Sequence, residues 1–212
     1  MSLEDYPRPS VAVDTAVLTV RDELEVLMVR AGDADADASW RLPGTFLHPG
    51  ERLADAVRRS LREKAGVEGL APAQLHVFDD PDRDERGWVL SVGHVVVTPA
   101  SALSPDLERT RLVPVAEVGP LEFQHDQIVA TAVDWLRARY AAGPDPDALL
   151  AEPFRLRELH RLHETVAGRP LQRDTFRRAM LPGLTETGEV ERGSVGKPAR
   201  LFRRVSAPEA VS

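Results

Sequence analysis

Between Pro43 and Val67 the chain sets Glu51, Arg59, Ser60, Glu63 and Lys64 along one loop and one helical stretch, and these side chains have the most chemistry to offer. Residues 44–52 read as a loop. Leu53 to Ala65 carries apolar residues at 53, 56, 57 and 61, a helical stripe, and Gly66 follows as a C-terminal cap. A helix N-terminus with free N–H groups favours phosphate. Arg59 and Glu63 stand four apart, the spacing of a helical ion pair. Glu63 alone carries too little charge to hold Mg²⁺, which needs hard anionic ligands. Lys64 adds a cation beside it, and like charges repel in a partly buried site. Lys64 can instead neutralise phosphate itself, binding it without generating a nucleophile. The alternative is that Lys64 is solvated surface.

Other candidates surround this helix. Arg30 and Arg41 flank the segment 31–40 and can meet phosphate. Trp40 and Phe46 can stack on a base, although such residues more often fill cores. His125 starts a periodic helix that runs to Tyr140, with Ile128, Ala132, Val133 and Leu136 on one face. His160 and His163 share a second helix but lack a third ligand nearby, so no zinc site is expected. No metal site and no cofactor are expected anywhere, Mg²⁺ being relevant only if residual catalysis exists.

The elements that must hold these groups are strands. Pro9–Val20 and Leu24–Arg30 are rich in β-branched residues around the polar turn Arg21-Asp22-Glu23. Gln74–Phe78 and Trp88–Thr98 flank the polar loop 79–87, and Leu112–Val115 is a short strand. Strands mixed with two helices predict an α/β/α sandwich with a mixed sheet over residues 1–142. Ala141-Ala-Gly-Pro-Asp-Pro-Asp147 carries Gly and two Pro, and predicts a linker over 143–150.

The 212-residue chain has a net charge of −7, which argues against nucleic acid, but its distribution reverses that reading. Residues 153–212 hold twelve Arg or Lys against seven Asp or Glu, so the remainder carries −12. Phe154–Val166 and Leu171–Leu181 are helical, separated by Ala167-Gly-Arg-Pro170. Thr185–Arg192 and Ala199–Val205 are polar strands around a Gly-rich turn. Helix, turn, helix and basic hairpin describe a winged helix-turn-helix over 151–207, followed by a disordered tail at 208–212. Arg173 and Arg177, with Gln172, are expected toward base edges, and Thr175 and Arg178 toward phosphates. Arg192, Lys197 and Arg200 on the hairpin are expected near the DNA backbone. The chain lacks cysteine, a signal peptide and a long apolar run, which fits the cytoplasm and no membrane partner.

Residues 45–67 resemble a Nudix box: Gly, five residues, Glu, seven residues, then Arg-Glu-apolar-any-Glu-Glu-any-Gly-apolar. Glu51, Arg59, Leu61, Glu63, Gly66 and Val67 match. Thr45, Ser60 and Lys64 replace the opening Gly and two of the Glu residues that would hold Mg²⁺. In such domains Glu51 and Arg59 brace the loop, and Glu63 can join that brace. The box, the Arg83-Asp-Glu-Arg-Gly-Trp88 loop, Phe123-Gln-His125, Gly168-Arg-Pro-Leu171, Phe176-Arg-Arg178 and the 193–199 turn together resemble the Nudix-related transcriptional regulators, the NrtR family.

The resemblance implies an α+β chain, a catalytically degenerate Nudix sandwich followed by a winged helix. It implies a homodimer that binds operator DNA and senses a nucleotide diphosphate such as ADP-ribose, repression being the mode of control. Arg83, Arg86 and His125 join Arg30, Arg41, Phe46 and Lys64 as expected ligand contacts. The alternative is a hydrolase of ADP-ribose or a nucleoside-diphosphate sugar with an appended winged helix, and Ser60 with Lys64 count against it.

Overall fold

The computed structural model describes residues 5–31, 39–103, 108–190 and 199–205. It divides into two compact units: Met1–Thr19 with Glu25–Trp135, and Val20–Leu24 with Leu136–Ser212. No described helix is long and apolar enough to cross a membrane.

The first unit is built on a seven-stranded mixed sheet in the order β3-β2-β1-β6-β5, with β4 pairing β1 and β7 pairing β2. Its strands are β1 (Ser10–Val20), β2 (Leu24–Arg30), β3 (Trp40–Arg41), β4 (Gly44–Phe46), β5 (Ala73–Phe78), β6 (Val89–Val97) and β7 (Thr110–Pro114). β1 is central and buried from Ala12 to Thr19, which explains its near-continuous apolar and small composition. It runs parallel to β6, with Asp14 beside Gly93, and antiparallel to β4, with Asp14 opposite Gly44. Helix α1 (Leu53–Ser60) buries Ala56 and Val57 against Val13, Val17, Leu27 and Val96 on one face of the sheet. Helix α2 (His125–Ala142) begins over the other face, where its first residue bonds the β1 side chain Asp14.

Two differences from the sequence reading matter for the site. Residues 44–46 form the short strand β4 rather than a loop. The helix that the periodicity carries to Ala65 is α-helical only to Ser60, and Leu61–Ala65 forms one π turn closed by Gly66 in the left-handed conformation at φ 64°. Such single π turns recur at functional sites, and this one carries Glu63 and Lys64.

The second unit contains β8 (Phe154–Arg155), α3 (Leu156–Ala167), α4 (Arg173–Met180), β9 (Leu184–Val190) and β10 (Arg200–Arg204), with the sheet order β8-β10-β9. β8 takes the first two residues of the stretch that the periodicity assigns to a helix from Phe154. Phe154, Leu159, Phe176, Met180 and Phe202 form the core, drawn from every element but β9. The expected hairpin is present, but its turn, with Arg192 and Lys197, lies outside the described residues, as do residues 208–212.

His160 and His163 serve this core. Their rings meet Phe176 edge-on at 4.8 and 5.0 Å, and His163 also packs on Tyr140 at 5.0 Å. Burial, far outweighing the charge of Asp145, pulls the His163 imidazole from its ordinary 6.5 down to about 4. An unfolded chain therefore takes up a proton on this residue between those values while the folded chain does not. Stability from His163 should be complete above pH 6.5 and fall as the pH drops toward 4. Denaturant titrations at pH 7 and pH 4.5 should show wild type losing up to about 2 kcal/mol more than His163→Leu. Equal losses would show that His163 is not buried in its neutral form.

Candidate functional site

A cavity of about 160 Å³ opens in the first unit, lined by residues from β1, the β3–β4 segment, the π turn, the 79–87 loop and the start of α2. Arg41, Phe46, Lys64, Arg83, Arg86 and His125 all line it, so six of the seven expected ligand contacts converge. Arg30 does not line it: it ends β2, where its N–H donates to the Arg109 carbonyl and it pairs across to Trp40.

The brace expected of the box is built in full. Arg59 reaches both Glu51 carboxylate oxygens at 2.9 Å, the Thr45 hydroxyl at 3.1 Å and the Phe46 carbonyl at 3.0 Å. Glu51 also accepts the His48 N–H at 3.0 Å. These bonds, Arg59 foremost, hold the Glu51 carboxyl at about 2. Thr45, at the position where the box has Gly, thus feeds the same network. Glu63 lies further out, 4.0 Å from Arg59 and 3.9 Å from Arg62, with more than half of its side chain exposed.

Asp14 is the centre of the cavity wall, and the sequence reading missed it. Its Oδ1 lies 3.3 Å from His125 Nε2, and its Oδ2 accepts the Ser91 hydroxyl at 2.5 Å and lies 3.7 Å from Arg83. Burial pushes this carboxyl up, but the hydrogen bonds from His125 and Ser91 and the charge of Arg83 outweigh it and leave it below its ordinary value. His125 Nδ1 accepts the Leu42 N–H at 3.1 Å, so the ring proton sits on Nε2, facing Asp14. Gly44 is required opposite: a Cβ there would lie 1.8 Å from Asp14 Oδ1. The available signal was a lone carboxylate in the middle of an apolar strand.

On the other wall Arg83 donates to the Phe123 carbonyl at 2.8 Å, and its buried Nε has no hydrogen-bond partner. Phe123 holds φ 59°, a left-handed conformation that costs a non-glycine residue about 1 kcal/mol or more and is characteristic of sites. The Arg86 guanidinium lies 4.7 Å from the Phe123 ring centroid and 5.6 Å from that of Phe46, and pairs with Asp84 at 2.6 Å. Trp40 is instead occupied by Arg111, 4.3 Å from its ring.

The donor set does not fit Mg²⁺. Ser60 is buried with no partner for its hydroxyl. Glu63 is more than half exposed, and the Lys64 ammonium donates to the Gly44 carbonyl. Among the described residues no three His, Asp or Glu side chains converge as a ligand set. Burial, then the charge of Arg41, lowers the Lys64 pKa.

In the second unit α4 presents Arg173, Arg177 and Arg178 to solvent, opposite buried Phe176 and Met180. No ion pair holds any of the three among the described residues. Gln172 is the N-cap of α4, its amide oxygen accepting the Thr175 N–H at 2.5 Å. Arg200 pairs with Glu186 across the hairpin at 3.1 Å. Gln172 and Thr175 also line a second cavity of about 630 Å³ between α3, α4 and the end of α2.

Comparison with known proteins bears on both units. Residues 10–136 match the family model for the NUDIX domain, and residues 147–204 match that for the NrtR DNA-binding winged helix domain. The crystal structure of Shewanella oneidensis NrtR is 31% identical, with a TM-score of 0.73, and the match covers 92% of this chain and 94% of that one. The chain belongs to the NrtR family. A structure of the same NrtR complexed with a 27mer DNA gives 30% identity, a TM-score of 0.74 and coverage of 92% and 93%. The Nudix domain of that NrtR complexed with ADP ribose is 27% identical at a TM-score of 0.53, over 64% of this chain and 94% of that one. The ADP-ribose pyrophosphatase of Methanocaldococcus jannaschii is 26% identical over 132 residues, 61% of this chain and 76% of its own. The NrtR match joins both units in one chain in the order the sequence resemblance implies.

Proposed function

We propose that this chain is a DNA-binding transcriptional regulator of the NrtR family, acting as a repressor, that senses ADP-ribose or a similar nucleotide diphosphate through its Nudix domain. The end-to-end match to an NrtR at 31% identity carries this reading. The relatives' structures with DNA and with ADP ribose supply the two partners. The site here agrees with the second partner: a cavity walled by four cationic side chains and one exposed phenylalanine suits a diphosphate with an attached base. The same reading makes it a binder of this ligand and not a hydrolase, because Ser60 and Lys64 stand at two of the positions that would hold a catalytic metal. A homodimer would place two α4 helices on a palindrome whose half-sites lie about one or two helical turns apart, working in the cytoplasm.

The test is sequence preference. Arg177→Ala should weaken binding to the operator by roughly 1–3 kcal/mol and relax base preference in selected oligonucleotide pools, while Arg178→Ala should weaken all duplexes about equally. Unchanged binding by a variant carrying both Arg177→Ala and Arg178→Ala would remove α4 as the reading helix.

A further inference from the structure

The charges around the 160 Å³ cavity do not cancel. Arg83 is matched by Asp14 at 3.7 Å and Arg86 by Asp84 at 2.6 Å. Arg41 and Lys64 remain, half-buried, with no carboxylate held against either one among the described residues. Burial of Lys64, then repulsion from Arg41, disfavours its charged form against the weaker pull of Asp14 and Glu63, which is the cost of holding two cations beside one cavity before an anion arrives. The Lys64 ammonium is not loose. The π turn carries it to β4, where it donates to the Gly44 carbonyl, and Gly44 is held against Asp14 by the absence of a side chain.

We infer that Arg41 and Lys64 form a metal-free diphosphate clamp, in which the Lys64 ammonium supplies positive charge that a divalent ion would otherwise bring to the ligand. The inference deepens the ligand-sensing role proposed above and rests on it for the identity of the nucleotide. Two fixed positive charges in excess match the two negative charges of a diphosphate bridge. The Gly44 carbonyl holds one of them at the cavity wall. The clamp supplies charge and no water-derived nucleophile, so the ligand is bound and left intact. It also frees ligand sensing from the concentration of divalent cations.

Calorimetry on the full chain tests the clamp with two probes, ADP-ribose and inorganic pyrophosphate, each in chelator. Both should bind, and adding Mg²⁺ in place of chelator should leave ADP-ribose affinity within about twofold. Lys64→Met and Arg41→Met should each weaken both probes by roughly ten- to a hundredfold, the range of a charge-assisted hydrogen bond. Lys64→Arg, which keeps the charge, should bind within a few-fold of wild type and controls for misfolding. Pyrophosphate bound through Lys64 and Arg41 without ADP-ribose binding would uphold the clamp and remove ADP-ribose as effector. Binding of either probe that vanishes in chelator and returns with Mg²⁺, or is unaltered in both Met variants, would overturn the clamp.

Discussion

ADP-ribose incubated with the purified protein and Mg²⁺ or Mn²⁺ should come back intact. Cleaving its diphosphate requires an activated water, and in Nudix enzymes a metal held by helix carboxylates supplies it. Here the Ser60 side chain is buried, Glu63 is half out in solvent beside two arginines, and Lys64 takes up the Gly44 carbonyl. Two unit charges about 4 Å apart at an effective dielectric near 20 interact by roughly 4 kcal/mol, and a divalent ion beside Lys64 doubles that repulsion. No single exposed glutamate offsets it. Release of AMP, followed chromatographically, should run at least about a thousandfold below an active diphosphatase. Turnover that Glu63→Gln abolishes would contradict this. Restoring carboxylates by Ser60→Glu with Lys64→Glu should recover weak metal binding, at a loss of stability, because residue 60 lies in a buried position.

Replacing Asp145 should do the largest damage to the fold. Its fully buried carboxylate accepts the Tyr140 hydroxyl at 2.8 Å, the N–H groups of Leu149 and Leu150 at 2.8 and 2.9 Å, and Arg204 Nη1 at 2.5 Å. These partners come from the end of α2, the segment before β8, and β10. Arg204 also reaches Glu152 at 2.9 Å and lies 5.4 Å from the Phe154 ring. Removing the carboxylate leaves a phenol and two amides unpaired at once and takes from Arg204 one of its two carboxylates. Breaking a buried ion pair from one side costs about 3–5 kcal/mol, a large part of the stability of a small unit. Asp145→Ala should therefore melt the second unit ahead of the first and abolish DNA binding, with Asp145→Asn intermediate. A single wild-type-like transition for Asp145→Ala would show that this hub is dispensable.

The contrast between Asp145 and the helices shows what a sequence can disclose. Periodic apolar residues mark α1 to α4 because a helix buries one face whatever it packs against. The brace of Glu51 and Arg59 was legible through the resemblance to the Nudix box, a motif local enough to be matched residue by residue. Asp145 sits between two prolines and reads as linker, since its partners Tyr140 and Arg204 meet it only in the folded unit. Asp14 reads as one residue of a strand, and its role depends on Ser91 and Arg83 from distant elements. β3, β4 and β8 are too short to show a period, and only pairing defines them. Gln172 was read for its hydrogen-bonding capacity alone, and the structure uses that capacity to cap α4.

The central claim is that one chain reads DNA and reports a nucleotide diphosphate. Fluorescence anisotropy of the full chain on duplex DNA from upstream of its own gene, titrated with ADP-ribose in chelator, tests both halves together. The DNA should bind with a steep salt dependence, and saturating ADP-ribose should change its affinity by about 5- to 150-fold, the span of a typical coupling energy. DNA affinity that ADP-ribose and other nucleotide diphosphates leave unchanged, or no preference for that DNA over random duplex, would contradict it.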